Sequence, residues 1–250
     1  MKDNFSRQSI DYAKFRPHYP KELFGFLMPL LKEHHLAWDV ATGNGQVANV
    51  LAEYFNQVIA TDISENQLKH AIQKHNVMYR VESAEQSSLP DKSVDLITIA
   101  QAIHWFNFEA FYREVRRTLK PNGLIVVIGY PLFSIEPGID TIIQQFYSET
   151  LHLCWDPERK YIDNHYSTIP FPFQEMQTPA FSMNYNWSLH DLVGFLNTWS
   201  AVQHYIRQYH TNPVEEVRKK LSAIWIDEEK KPVFFPLIIK VGHLGQLQNT

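Results

Sequence analysis

The sequence predicts a doubly wound α/β fold: a mostly parallel seven-stranded sheet with helices on both faces, an aromatic cap insertion and an antiparallel edge strand. Three observations predict it. Strand-like and helix-like stretches alternate between residues 37 and 128, the rhythm of parallel strands joined by crossover helices. The stretch WDVATGNGQVA, residues 38–48, has the composition of a strand, a glycine-rich turn and a helix start. A lone carboxylate, Asp62, closes the next strand about 20 residues beyond that turn, the offset at which an acid accepts hydrogen bonds from the ribose hydroxyls of a nucleoside cofactor.

Each element has a local reason. Residues 21–33 carry Leu23, Phe24, Leu27, Leu30 and Leu31 at helical spacing behind Pro20, which favours a helix start. Strands are predicted over 37–41, 57–61, 77–81, 94–99 and 124–128, with helices over 46–54, 65–75 and 108–119. The run LKPNGL, 119–124, reads as a turn: Pro121 stops the helix and Asn122-Gly123 permits a positive φ. Beyond Tyr130 the rhythm changes. A helical pattern over 139–153 and the segment YSTIPFPFQEMQTPAF predict a cap over the carboxyl ends of the strands. Strand 180–187, helices 189–209 and 213–225 and strand 233–241 follow, the last two strands being expected to form the antiparallel edge. The organisation is one domain: an arm (1–20), a cofactor-binding core (21–130), a cap (131–179) and C-terminal helices and edge strands (180–250).

The turn admits two cofactors. Gly43, Gly45 and Ala48 fit the dinucleotide pattern G-x-G-x-x-G/A, which leaves an NAD(P)-dependent oxidoreductase or flavin enzyme as an alternative. Asp39 argues the other way. A carboxylate four residues ahead of Gly43 repels a pyrophosphate but favours the sulfonium and ammonium of S-adenosyl-L-methionine. The Lys-Ser/Thr pair of a phosphate-cradling loop is missing. Each acid also has a structural use, Asp39 to satisfy a buried backbone donor and Asp62 to cap the helix near Glu65. Their joint register around Gly43 and Gly45 favours the cofactor.

A formal charge of −4 gives no broad positive field for nucleic acid. Arg113, Arg116, Arg117 and Lys120 read as a solvated helix face. One cysteine, Cys154, excludes an internal disulfide and points to a reducing compartment. No metal-ligand spacing, apolar leader or membrane-length apolar run is present, so a cytoplasmic, metal-independent protein is expected.

Together with YAKFRPHYP (12–20), AQAIHWFNFEAFYREVRRTLKPNG (100–123) and FLNTWSAVQHY (195–205), these residues resemble the class I S-adenosylmethionine-dependent methyltransferases, whose core is Rossmann-like. The likeness runs through nearly the whole chain and is similar to the small-molecule group that includes trans-aconitate methyltransferase. The resemblance implies a cofactor site of Asp39, Gly43, Gly45, Asp62, Ile63, Ala84, Glu85, Ala100 and Gln101. It implies that Tyr12, Arg16 and Tyr19 belong to a lid over cofactor and acceptor. Trp105, Tyr130, Trp199 and Gln203 would line the acceptor pocket. Ala41 departs from the family, which has glycine there; a weak or inactive cofactor-binding homologue is the reading this departure motivates.

Methyl transfer to a carboxylate needs no general base, and Arg16 would then hold the acceptor. A hydroxyl, thiol or amine acceptor must lose a proton, and His104, after the fourth strand, is the candidate base. The acceptor is expected to be a small molecule, with a carboxylate one candidate class beside a hydroxyl, thiol or amine.

Overall fold

The structure is a computed structural model that describes residues 15–226 and 228–245. Its centre is a seven-stranded sheet in the order β3-β2-β1-β4-β5-β9-β6. Strands β1 (Leu36–Val40), β2 (Gln57–Asp62), β3 (Val77–Val81), β4 (Val94–Ala100) and β5 (Leu119–Gly129) are parallel; β9 (Ile238–His243) and β6 (Gln174–Met176) complete the sheet antiparallel. Strand β4 reads VDLITIA with six of seven residues buried, as a strand covered on both faces requires. Helices α1 (Lys21–Leu27), α2 (Gln46–Leu51), α3 (Glu65–Lys69) and α4 (Phe108–Thr118) flank it. The strand order reverses between β1 and β4, and the crevice at their carboxyl ends is where open α/β sheets bind ligands.

Several expectations are corrected. Strand 180–187 does not reach the main sheet. It forms β7 (Ser182–Trp187), which pairs with β8 (Lys231–Pro236) in a separate two-stranded sheet. The predicted strand 233–241 therefore divides at Leu237 into β8 and β9. The 119–124 turn lies inside β5: Val94 pairs with Leu119 and Leu96 with Leu124, so residues 120–123 loop out of the ladder. A Cβ on Gly123 would fall 2.9 Å from the Asp95 carbonyl, so the loop closes only with glycine there. The expected helix 189–209 breaks into α7 (Leu189–Asn197) and α8 (Ser200–Tyr209), because Thr198 turns its hydroxyl onto the Phe195 carbonyl and Trp199 is extended. Helix 139–153 shortens to α5 (Pro137–Gln145), followed by a wider turn in which the Leu151 N–H reaches the Phe146 carbonyl.

The cap draws on both sides of β6. Helix α5, α7, α8, α9 (Val214–Ser222) and the β7–β8 pair share one core containing Phe133, Phe146, Phe195, Trp199, Trp225 and Phe235. Residues 15–19 are tied to it. Phe15 fills the space above Gly194, where a Cβ would come within 2.4 Å of the ring. The His18 N–H donates to Tyr185 Oη at 2.6 Å, and Tyr185 donates back to the His18 carbonyl at 2.8 Å. Two of the arginines of α4 are paired with acids, Arg117 with Glu114 and Asp91 and Arg113 with Glu109, while Arg116 donates to the Pro172 carbonyl at 2.9 Å. Among the described residues no helix is long and apolar enough to cross a membrane.

Asp95, buried at the foot of β4, accepts from the His35 and Leu36 N–H groups and pairs with Lys120 Nζ at 2.6 Å. It ties β1, β4 and the β5 loop together. Asp95→Ala leaves two backbone donors without their acceptor and the Lys120 ammonium with Glu33 alone, and should cost about 2 kcal/mol, read as a lower urea midpoint; a loss under about 1 kcal/mol would contradict this role.

Candidate active site

At the switch point the chain leaves both strands in the left-handed region. Ala41 follows β1 with φ 52° and Gln101 follows β4 with φ 52°, conformations that L-residues adopt only at a cost. Gly43 (φ 57°) and Gly45 (φ 81°) continue the turn. Space beside Gly43 is open, since an added Cβ meets nothing within 4 Å, whereas one on Gly45 would strike the Tyr79 hydroxyl at 2.2 Å. One glycine therefore faces a cavity and the other permits packing.

Two carboxylates hold the turn. Asp39 accepts from Thr98 Oγ1 (2.7 Å) on β4, from the Ala48 N–H (3.1 Å) on α2 and from Thr42 Oγ1. Both structural and electrostatic uses of this acid are thus open to it, for it also lines the cavity. Burial pushes its carboxyl up to about 6; the donors from Thr42, Thr98 and Ala48 restrain that rise, and nearby Asp62 adds to it. Asp62 accepts from the Gly43 N–H (2.9 Å) and the Ser64 N–H (2.8 Å). The cap of α3 is Ser64, whose hydroxyl accepts from the Gln67 N–H.

Two cavities adjoin here. The first is lined by Asp39, Ala41, Gly43, Ala100, Arg16 and Tyr19, among others. The second, beneath the cap, encloses about 650 Å3 of atom-free space partly open to solvent, walled by His104, Trp105, Phe133, Trp155, Phe195 and Trp199. Arg16, Gln101 and Tyr130 line both. A wider groove at the amino ends of β4 and β5, lined by Lys92, Arg116 and Phe173, lies away from these loops.

Of the residues expected at the site, the cavities gather Asp39, Gly43, Ala100, Gln101, Arg16, Tyr19, His104, Trp105, Tyr130 and Trp199. Gly45, Asp62, Ile63, Ala84 and Glu85 lie outside the two linings. Glu85 accepts from the Asn107 N–H at the start of α4. Gln203 does not reach the site: its amide donates to the Asn197 carbonyl freed by the break between α7 and α8. Tyr12 lies outside the described residues. Arg16 donates to Tyr130 Oη and to the Thr198 carbonyl, both at 3.0 Å, and sits over the Phe195 ring. Its terminal nitrogens thus strap the arm to the two cavities.

His104 is buried. The Gln101 amide donates to the Tyr130 carbonyl (3.0 Å), Tyr166 donates to Gln101 Oε1 (3.3 Å), and His104 Nδ1 lies 3.2 Å from Tyr166 Oη. With the phenol proton spent on Gln101, this chain puts the imidazole proton on Nδ1. Burial pushes the imidazole down to about 3, and the charge of Arg159 pushes the same way. Tyr166 and Arg159 were not anticipated. Tyr166 follows a left-handed His165 and is itself left-handed (φ 54°), a conformation that no local motif signals.

The comparisons with known proteins agree with this geometry. Residues 38–127 match the family model described as a methyltransferase domain. A Dictyostelium discoideum protein named as a methyltransferase is 36% identical over 223 residues, covering 88% of this chain and 85% of that one. The chain belongs to the class I S-adenosylmethionine-dependent methyltransferases. A solved structure described as a type II methyltransferase, from Anaeromyxobacter dehalogenans, is 35% identical with a TM-score of 0.84, covering 92% of this methyltransferase and 98% of that chain. An uncharacterized methyltransferase of Schizosaccharomyces pombe is 27% identical, covering 86% of this chain and 83% of that one. None of these three names states a methyl acceptor.

Relief of the strain at Ala41 is measurable. Ala41→Gly removes a left-handed penalty of about 1 kcal/mol and adds unfolded-state entropy of smaller size. The methyltransferase should gain a few tenths of a kcal/mol in urea unfolding and bind S-adenosylmethionine as tightly or more tightly by calorimetry. A clear loss of stability would show that the alanine methyl is needed where it stands.

Proposed function

We propose that the protein binds S-adenosyl-L-methionine in the cavity at the ends of β1 and β4 and transfers its methyl group to a small carboxylic acid in the adjoining aromatic cavity. The carrying observation is that the two cavities meet at Arg16, Gln101 and Tyr130. The residues fit the cofactor: an open backbone cradle at Gly43, a buried acid at Asp39 and an acid at Asp62 favour a cationic nucleoside over a pyrophosphate. Asp39, Ala41, Gly43, Ala100 and Gln101 would border its methionyl part, with Asp62, Ile63, Ala84 and Glu85 toward ribose and adenine. When bound, it supplies an electrophilic methyl on a sulfonium, so a carboxylate oxygen gains an O–CH3 bond while the C–S electron pair leaves on sulfur and no proton moves.

The state of His104 favours a carboxylate over a hydroxyl, thiol or amine. An imidazole that protonates only near 3 is a weak proton acceptor at neutral pH. Its work is then to hold Tyr166, Gln101 and the cavity wall in one arrangement, while the tryptophans exclude water.

Two outcomes test this reading. Asp39 is ionised above about pH 6, so the affinity for S-adenosylmethionine should fall as pH is lowered from 7.5 to 5, and Asp39→Asn should flatten that dependence in calorimetry. His104→Asn keeps a donor toward Tyr166. It should lower turnover of an acid acceptor by less than about 100-fold, the smaller end of what a general base contributes, with no inflection in rate near pH 6.5. A larger loss carrying a histidine-like inflection would assign the histidine as base and exclude the carboxylate reading.

A further inference from the structure

The acceptor cavity contains a second guanidinium. Arg159 opens helix α6 (Arg159–Asp163) in the cap and lines the same cavity as Arg16. Its Nε donates to Tyr147 Oη at 2.7 Å and lies 3.4 Å from Asp163 Oδ1. Tyr147 itself donates to Asp163 at 2.6 Å. The guanidinium lies over Trp155, 4.9 Å from the ring centre, and beside Tyr147 at 5.3 Å. That shelf is fixed, because the Trp155 indole N–H donates to the Tyr147 carbonyl at 3.0 Å. One edge of the guanidinium is therefore anchored. Among the described residues neither terminal nitrogen has a hydrogen-bond partner, and the side chain is 20% exposed. The facing charges are few. Asp156 is an acid in the cavity lining, 3.8 Å from a His204 whose Nδ1 meets the Cys154 carbonyl at 2.8 Å, and Asp163 is nearly half exposed at the anchored edge. The charge of Arg159 is felt across the cavity at both His104 and Tyr166.

Arg16 contrasts with it. Its two terminal nitrogens already donate to Tyr130 and Thr198. A planar fork held on an aromatic shelf with its outer donors uncommitted is the arrangement that receives a carboxylate. The remaining wall, Trp105, Trp155, Trp199, Phe133 and Phe195, offers flat apolar surface and little to hydrogen-bond a second acidic group.

We propose that Arg159, rather than Arg16, binds the acceptor carboxylate and selects acids with a flat or extended apolar body. The inference rests on the carboxylate reading above and deepens it. Because the ion pair is strongest while the carboxylate is still charged, Arg159 acts on acceptor affinity and KM more than on kcat.

The test is calorimetry of the whole protein saturated with S-adenosylhomocysteine. The probes are cinnamate and octanoate, their uncharged counterparts cinnamyl alcohol and octanol, and the compact diacid malonate. Arg159→Met keeps an apolar stem over Trp155 without charge, and Arg159→Lys keeps charge without the fork. Both acids should bind the wild-type complex and lose about 10- to 100-fold in affinity in the methionine variant. The lysine variant should recover part of that loss, and the alcohols should be insensitive to residue 159. Circular dichroism checks that both variants fold; should the methionine variant not fold, the acid-to-alcohol ratio of the lysine variant decides. The proposal is overturned by acids that bind the methionine variant unchanged, by malonate binding more tightly than the apolar acids, or by no acid binding to the wild-type complex. Failure of S-adenosylhomocysteine itself to bind would instead remove the cofactor reading, a separate result in the same titration.

Discussion

The site depends on one buried carboxylate. Asp39 reaches from β1 to the turn at Thr42, to the first turn of α2 at Ala48 and to β4 at Thr98. Leaving an acid in this position without partners would cost several kcal/mol. Three donors offset that cost and, in doing so, fix the backbone of the turn. Asp62 does the same from the neighbouring strand through the Gly43 N–H. The turn is therefore shaped before any ligand arrives. Preorganisation of this kind removes the ordering cost from binding. It also leaves negative potential behind the turn, which is why the same glycines that would suit a dinucleotide face the wrong charge for its pyrophosphate.

What was legible in the sequence follows from this. Asp39, Gly43, Gly45 and Asp62 act through chain-local geometry: strand, turn, helix and strand succeed one another within 25 residues, so spacing alone places them. The parallel core was legible for the same reason, since crossover helices separate strands by regular intervals. The cap was not. Residues 189–209 have unbroken helical periodicity, and only tertiary packing shows that Trp199 leaves the helix to enter a cluster with Phe146, Trp155 and Phe195. Strand 180–187 alternates as an edge strand should, but periodicity does not name its partner, and β8 captured it in place of the main sheet. The family resemblance places Gln203 in the pocket, yet beyond the helix break its amide donates to the Asn197 carbonyl. Arg159 sits in an insertion whose contacts with Tyr147, Trp155 and Asp163 are set by the folding of the cap.

The helix break has a consequence for the cavities. An uninterrupted helix would commit the Thr198 carbonyl to its own ladder. At the break that carbonyl accepts from Arg16, 182 residues earlier in the chain, while the same guanidinium reaches Tyr130 at the end of the sheet. Three distant segments thus meet at one side chain. Arg16 borders both cavities, so any rearrangement of residues 15–19 changes the two linings together.

Charge placement completes the argument. A sulfonium and a carboxylate lose their opposite charges together as the methyl passes between them, so a site that solvates either ion strongly stabilises the starting state more than the transition state. The charged protein groups are set back accordingly. Asp39 is engaged by protein donors at the turn, and Arg159 lines the cap cavity but not the one at Asp39, with one edge anchored. The lining also holds neutral groups, the uncharged His104, the amide of Gln101, the phenol of Tyr130 and indole faces, while the Arg16 guanidinium at the junction of the cavities donates to Tyr130 and Thr198. In the proposed reaction such a wall would exclude water and leave the region around the transferring methyl less able to stabilise separated charge. The burial that makes His104 a poor base is therefore the same condition on which the proposed acid acceptor rests.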